Sequence, residues 1–228
     1  MEQKTIKVLT GPIGLLQSAW KAYKENFSLF ITISAIGGAV GIIALFASPA
    51  LLRANHGAIN VVSAIFALVV IVAQIWASSS LSYAVTHEKQ IKDYKKALLK
   101  GWKLFVPYLL VTLLVGLITA LGLVLLIIPG VIFAVWLAFS VFILMDNEGG
   151  IVISINKSKA MVKGYWWPVF GRLLALIAAT IAVMAIVGAI LSSLFGQEVF
   201  EILNQIISIL ITPLVMLYVK KIYDELKA

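Results

Sequence analysis

The sequence predicts an all-α protein that crosses a membrane six times, and three observations predict it. Apolar residues make up 62% of the 228 residues and charged residues only 12%, with a mean hydropathy of +1.06. Too little polar surface is available to cover a water-soluble fold. Five stretches carry no Asp, Glu, Lys, Arg or His: Asn26–Leu52, Gly57–Thr86, Leu104–Met145, Leu173–Gln197 and Ile202–Val219. About 20 helical residues at 1.5 Å each cross a hydrocarbon core of about 30 Å, so each stretch is long enough to span. Third, none of them shows strand alternation, and in hydrocarbon only helices or closed barrels satisfy the backbone.

The third stretch settles the number of spans. Its 42 residues would form a helix about 63 Å long, roughly twice the hydrocarbon thickness. It must fold back once. Within LLIIPGVIF (125–133), Pro129 cannot donate a helical hydrogen bond and Gly130 tolerates positive φ, so Pro129-Gly130 is the expected turn. A second helix from about Val131 to Asn147 is then short, at about 17 residues, so either Pro129 lies inside the bilayer at the helix start or the turn begins earlier, near Gly122. The expected spans are about 27–50, 59–85, 104–127, 130–147, 169–194 and 201–220, within a single membrane domain covering 1–228.

Orientation follows from charge. Of the 18 basic residues, 17 fall in the N-terminal segment, the loops after spans two and four with the start of span five, and the C-terminus; only Arg53 falls on the other side. Lysine and arginine are retained on the cytoplasmic side, so both termini are expected there, in a bacterial-type inner membrane. All seven tyrosines, with Trp20, Trp102, Trp166 and Trp167, map to the same boundary, where amphipathic rings sit at headgroup level. The net charge of +8 is therefore a membrane-surface feature, and no nucleic-acid partner is expected. The first apolar run is a full span and no cleavage signature precedes it, so it reads as a retained signal-anchor.

Three basic segments precede pairs of spans: SAWKAYKENF (18–27), KKALLKGWKLFVP (95–107) and SKAMVKGYWWP (158–168). They predict amphipathic helices over about 12–25, 91–102 and 150–163, lying in the interface with lysines toward anionic headgroups. On the first, Ile13, Leu16, Trp20, Tyr23 and Phe27 share one face. On the second, Ile91, Tyr94, Leu98, Trp102 and Phe105 do. Gly101 and Gly164 are expected to supply bends, and Pro107 and Pro168 to lie in the first turns of the spans that follow. The plan is a weak threefold repeat of helix plus hairpin, unequal in spacing. Its candidate lipid or partner face comprises Lys21, Lys24, Lys95, Lys96, Lys100, Trp102, Lys159, Lys163 and Trp166.

Residues 125–177, from LLIIPG through SINKSKAMVKGYWWP to RLLALI, resemble the signature of bacterial glycerophosphodiester phosphodiesterase membrane-domain-like proteins. That group includes uncharacterised six-span inner-membrane proteins. The resembling features are Ile128-Pro129-Gly130, the following helix carrying Ser158, and Lys163-Gly164-Tyr165-Trp166 opening the next span. The first half of the chain matches only in layout. The resemblance implies a membrane module without the hydrolase, whose separate barrel starts with a His-Arg-Gly motif that does not occur here.

Little in the chain resembles catalysis. Cysteine is absent, which removes disulfides and thiolate chemistry. His56 in an outer loop and His87 at a helix end lack partners at metal-ligand spacing, so no metal or other cofactor is expected. Asp146 and Glu148 suit the N-terminus of the next helix. A non-enzymatic module that engages anionic lipid or a protein partner is the leading reading. The alternative is a carrier or channel for a small or lipid-like solute. That alternative rests on polar faces of span two (Ser63, Gln74, Ser78, Ser82) and span six (Gln205, Ser208, Thr212), although no ionisable residue lies deep in a span. Gly37 and Gly41, and the stripe Ala178, Ala182, Ala185 and Ala189, suit close helix approach within the bundle or in a homo-oligomer.

Overall fold

The computed structural model describes residues 9–54, 61–146 and 150–228. Lys4, Lys7, His56 and Glu148 lie outside the described residues, as does the side chain of Arg53. Every regular element among the described residues is a helix: α1 (Pro12–Glu25), α2 (Phe27–Ala54), α3 (Val61–Thr86), α4 (Tyr94–Lys103), α5 (Phe105–Leu125), α6 (Ile127–Leu137), α7 (Ser140–Met145), α8 (Ile151–Val162) and α9 (Trp166–Lys227). Six stretches are long and apolar enough to cross a membrane: Phe27–Ala47, Val61–Thr86, Phe105–Leu125, Ile127–Met145, Trp166–Leu194 and Val199–Lys227. They are spans one to six below. The last two are halves of α9, which reverses at Gly196, where φ is 74° and only glycine is comfortable.

Because the spans alternate, α1, α4, α8 and the end of α9 share one face, here called the basic face. The buried core sits beside it: Leu15 and Tyr23 of α1, Phe30 and Ile33 of α2, Leu81 and Val85 of α3, Phe139 and Ile143 around α7, and Leu217 and Ile222 of α9. Toward the other end the spans expose large apolar side chains, including Ile65 and Leu68 of span two and Ile181 and Ile186 of span five.

The reversal between spans three and four corrects the turn expected at Pro129-Gly130. The chain turns on a single extended residue, Leu126 (φ −161°, ψ 145°). Pro129 and Gly130 lie in the first turn of α6: at Pro129 an amide hydrogen would have no intrahelical acceptor, so proline forfeits nothing, and Gly130 N–H donates to Leu126 O at 3.4 Å. Gly130 instead permits contact between the two arms. A Cβ there would lie 2.4 Å from Leu123 Cγ, and one on Gly122 would lie 2.8 Å from Gly130 Cα.

Span four is broken at residues 138–139, between α6 and α7. The cause is Ser158 of α8. Its hydroxyl donates to Trp136 O at 2.7 Å and accepts from Phe139 N–H at 3.2 Å, standing in for the local helical partners of both groups. A side chain inserted in the ladder is a recognised source of a kink.

Other expectations are redrawn. The second short helix starts at Tyr94 rather than 91, because Asp93 caps it by accepting from Lys95 N–H at 2.9 Å. Gly101 makes no bend: it lies inside α4 against α3, and a Cβ there would fall 2.1 Å from Ser80 Oγ. Gly164 does turn the chain, at φ 94°. Of the residues expected on one apolar face, Tyr23 is buried while Ile13, Leu16 and Trp20 of α1 and Phe27, the first residue of α2, are exposed, so that face divides in two. Asp146 does not cap α8, whose N-cap is Gly150. It accepts from Tyr223 Oη at 2.6 Å and Lys227 Nζ at 2.8 Å, tying α7 to the end of α9.

Candidate functional site

Three places gather the residues singled out above: a recess at the basic face, a groove along span four, and a gap between spans one, two and six. The first is built on α4. Trp76 Nε1 donates to Leu98 O at 3.0 Å and Ser79 Oγ to Gly101 O at 3.0 Å, so span two holds the helix by its backbone. Trp102 stands edge-on to Trp76, with ring centroids 6.1 Å apart, and is exposed. That docking uses Ala97 and Gly101 and leaves the lysines outward. Lys96, Lys100 and Lys103 line a cavity of about 290 Å³ with Tyr83, Ile91 and Leu99. Lys95 is exposed on the same helix outside that cavity. Three lysines beside apolar walls at a span end give the recess a cationic, amphiphilic lining.

The second place lies between α6 and the start of α9. Ile127, Ile128, Val131, Ile132 and Trp136 face Trp166, Trp167 and Phe170 across about 610 Å³, with Lys163 and Gly164 at the margin. The walls are apolar and one cation stands at the edge. Lys159 Nζ sits 4.7 Å above the Trp136 ring, a cation–π distance. Trp166 Nε1 is buried without a hydrogen-bond partner among the described residues. Lys21 and Lys24 of α1 are exposed on the basic face and join neither recess.

The third place brings together part of the two polar faces; Ser63 and Ser82 do not line it, and Ser82 is buried and donates to Ser78 O at 2.8 Å. Gln74 and Ser78 of span two and Gln205, Ser208 and Thr212 of span six line a common void of about 120 Å³ with Ser34, Gly37 and Gly38 of span one. Gln74 Nε2 donates to Gly37 O at 3.0 Å, anchoring span two on span one. The Gly37/Gly41 spacing therefore serves packing within the bundle: a Cβ on Gly41 would lie 2.6 Å from Gln205 Nε2. The alanine stripe of span five, by contrast, is exposed.

Sequence reasoning missed Tyr83, Leu99 and Lys103 in the first recess and Ser34 in the third. Ser34 could have been found, since it shares a helical face with Gly37, Gly38 and Gly41. His87 is accounted for structurally, with Nδ1 3.2 Å from Tyr83 O and its ring 4.4 Å from the Tyr83 ring. On the end of α9, Lys221 pairs with the buried Glu88, and Arg172, itself buried, donates from Nε to Thr10 O at 2.8 Å. These contacts brace the basic face.

Fold and sites together define a multi-pass α-helical membrane protein with a lysine-lined recess at its basic face. No protein-family model, curated protein or solved structure matches the chain.

Proposed function

We propose that the chain is a non-enzymatic module of a bacterial-type cytoplasmic membrane, with both termini cytoplasmic, that engages anionic lipid through its Lys/aromatic face. One observation carries this reading: Lys96, Lys100 and Lys103 converge with Tyr83, Ile91 and Leu99 on one cavity at the end of span two. A phosphate placed there meets cations, and the acyl chains below it meet apolar walls. The groove margined by Lys163 has the same division of chemistry. An acidic segment of a partner membrane protein would satisfy the lysines alone. Lipid is favoured because both recesses pair cations with apolar walls.

On this reading α1, α4 and α8 are interfacial amphipathic helices, each introducing a hairpin of spans, and the layout is a weak threefold repeat. The motif resemblance over residues 125–177 points the same way, to a membrane module and not a hydrolase.

The test is lipid retention in nanodiscs of mixed phosphatidylglycerol and phosphatidylcholine, read by native mass spectrometry. A basic residue near an anionic surface contributes about 1 kcal/mol, so Lys96/Lys100/Lys103→Gln should weaken the preference for phosphatidylglycerol by roughly tenfold or more. An unchanged preference would refute the proposal.

A further inference from the structure

The void between spans one, two and six lies well inside the bilayer. Counted at 1.5 Å per residue from Phe27, Thr86 and Val219, where the charge-free stretches meet the basic face, Ser34, Gln74, Ser78, Gln205, Ser208 and Thr212 sit at depths of about 10–21 Å in a core of about 30 Å. Three helices thus bring uncharged polar groups to the same level. Nothing in the α4 recess requires this.

The hydrogen bonding around the void is one-sided. Ser208 Oγ donates to Asn204 O at 2.9 Å and Thr212 Oγ1 donates to Ser208 O at 2.7 Å, so both hydroxyls retain lone pairs for an outside donor. Gln74 spends one amide hydrogen on Gly37 O. Its Oε1 lies 3.6 Å from where a Gly37 Cβ would be, beside the same wall. Ser34 Oγ is buried and has no hydrogen-bond partner among the described residues. A polar atom stranded in this way is destabilising unless a guest supplies the missing partner.

Packing alone would be served more cheaply by apolar side chains. The volume of about 120 Å³ is several times the roughly 30 Å³ share of one water in the liquid. No ionisable side chain lines it, and a charged guest would enter at a heavy desolvation cost.

We propose that this void is a binding site for a small uncharged solute that both donates and accepts hydrogen bonds, a short polyol or simple amide of a few heavy atoms. Its hydroxyl or amide hydrogens meet Ser208 and Thr212, and its oxygen meets Ser34. The site is separate from the lysine-lined recesses and does not depend on their occupant.

The chain contains no cysteine, so Ser34→Cys and Ser208→Cys each introduce a single reporter. In nanodiscs, the small neutral reagent methyl methanethiosulfonate is followed by intact mass. Both thiols should react roughly tenfold faster than Ile186→Cys on the outward surface of span five, because thiolate forms only where water reaches. Molar glycerol or urea should slow the reaction about threefold by occupancy, while sucrose at equal osmolarity should not. Adding Ser208→Leu to Ser34→Cys should return labelling to the Ile186→Cys level, with folding checked by the thermal midpoint. Rates no faster than Ile186→Cys would mean a dry void and overturn the proposal. Fast labelling that neither glycerol nor urea slows would mean water only, and would equally overturn it. The protection measurement uses single variants and stands without the filled one.

Discussion

Removing the Ser158 hydroxyl should destabilise the bundle by an amount the geometry bounds. Ser158, in α8, is fully buried and serves two backbone groups of the break in span four, Phe139 N–H at 3.2 Å and Trp136 O at 2.7 Å. Ser158→Ala deletes one oxygen and leaves little cavity, so hydrogen bonding dominates the loss. Each stranded buried group costs about 1–3 kcal/mol, giving an unrelaxed limit of about 2–6 kcal/mol. Relaxation lowers it, because Phe139 N–H can turn toward Val135 O and Trp136 O toward Ser140 N–H, closing α6 and α7 into one helix. That closure displaces Phe139, Phe142 and Ile143 from the core they fill, so healing is incomplete and about 2–3 kcal/mol is expected. Reversible unfolding in mixed detergent micelles measures the change. Hydrogen exchange over residues 135–141 reports the break itself and should accelerate. Ser158→Cys, close in volume but a weak donor and acceptor, should fall between wild type and alanine. A loss below about 0.5 kcal/mol with unchanged exchange would refute the argument that Ser158 makes the break.

Three further outcomes are expected. Gly101→Ala should cost about 1–3 kcal/mol and loosen α4 from span two, because the new methyl would meet Ser80 Cα at 2.6 Å and backbone cannot step aside; increased proteolysis after Lys100 and Lys103 would register it, and an unchanged thermal midpoint would contradict it. Lys221→Met should strand the Glu88 carboxylate, which is 3% exposed, and cost about 3–5 kcal/mol, while adding Glu88→Gln should restore most of it; failure of that rescue in micelle unfolding would show that the pair is not the cause. Tyr23, whose hydroxyl donates to Leu210 O at 3.1 Å, has its phenol raised above the usual 10.0 by burial. The folded state therefore holds that proton more tightly. Its contribution is complete below the unfolded pKa and is lost as pH rises through the higher folded value. The alkaline decline in thermal midpoint should flatten in Tyr23→Phe, and an identical decline in both proteins would count against the assignment.

The spans were legible because their signal is local. Charge-free length decides what can cross a bilayer, and Val61–Thr86 and Phe105–Leu125 lie within two residues of where that length places them. Pro129-Gly130 misled because proline marks both turns and first helical turns, and sequence alone does not separate them. The break at 138–139 was illegible for a stronger reason: Ser158 makes it from 19 residues away. Much the same holds for the sites. Polar faces on spans two and six could be read from periodicity, whereas their meeting on Ser34 and Gly37 is a tertiary fact. Lys96 and Lys100 stood out by charge. Tyr83 joins them only because Trp76 and Ser79 hold α4 against span two.

The central claim is that anionic lipid occupies the recess formed by Lys96, Lys100 and Lys103. A phosphatidylglycerol analogue carrying a photoreactive group near its headgroup, activated in nanodiscs and mapped by peptide mass spectrometry, tests it most directly. Adducts should concentrate in residues 83–103, be chased by unlabelled phosphatidylglycerol but not by phosphatidylcholine, and be lost in Lys96/Lys100/Lys103→Gln. Adducts spread evenly around the bundle, or chased equally by both lipids, would contradict it.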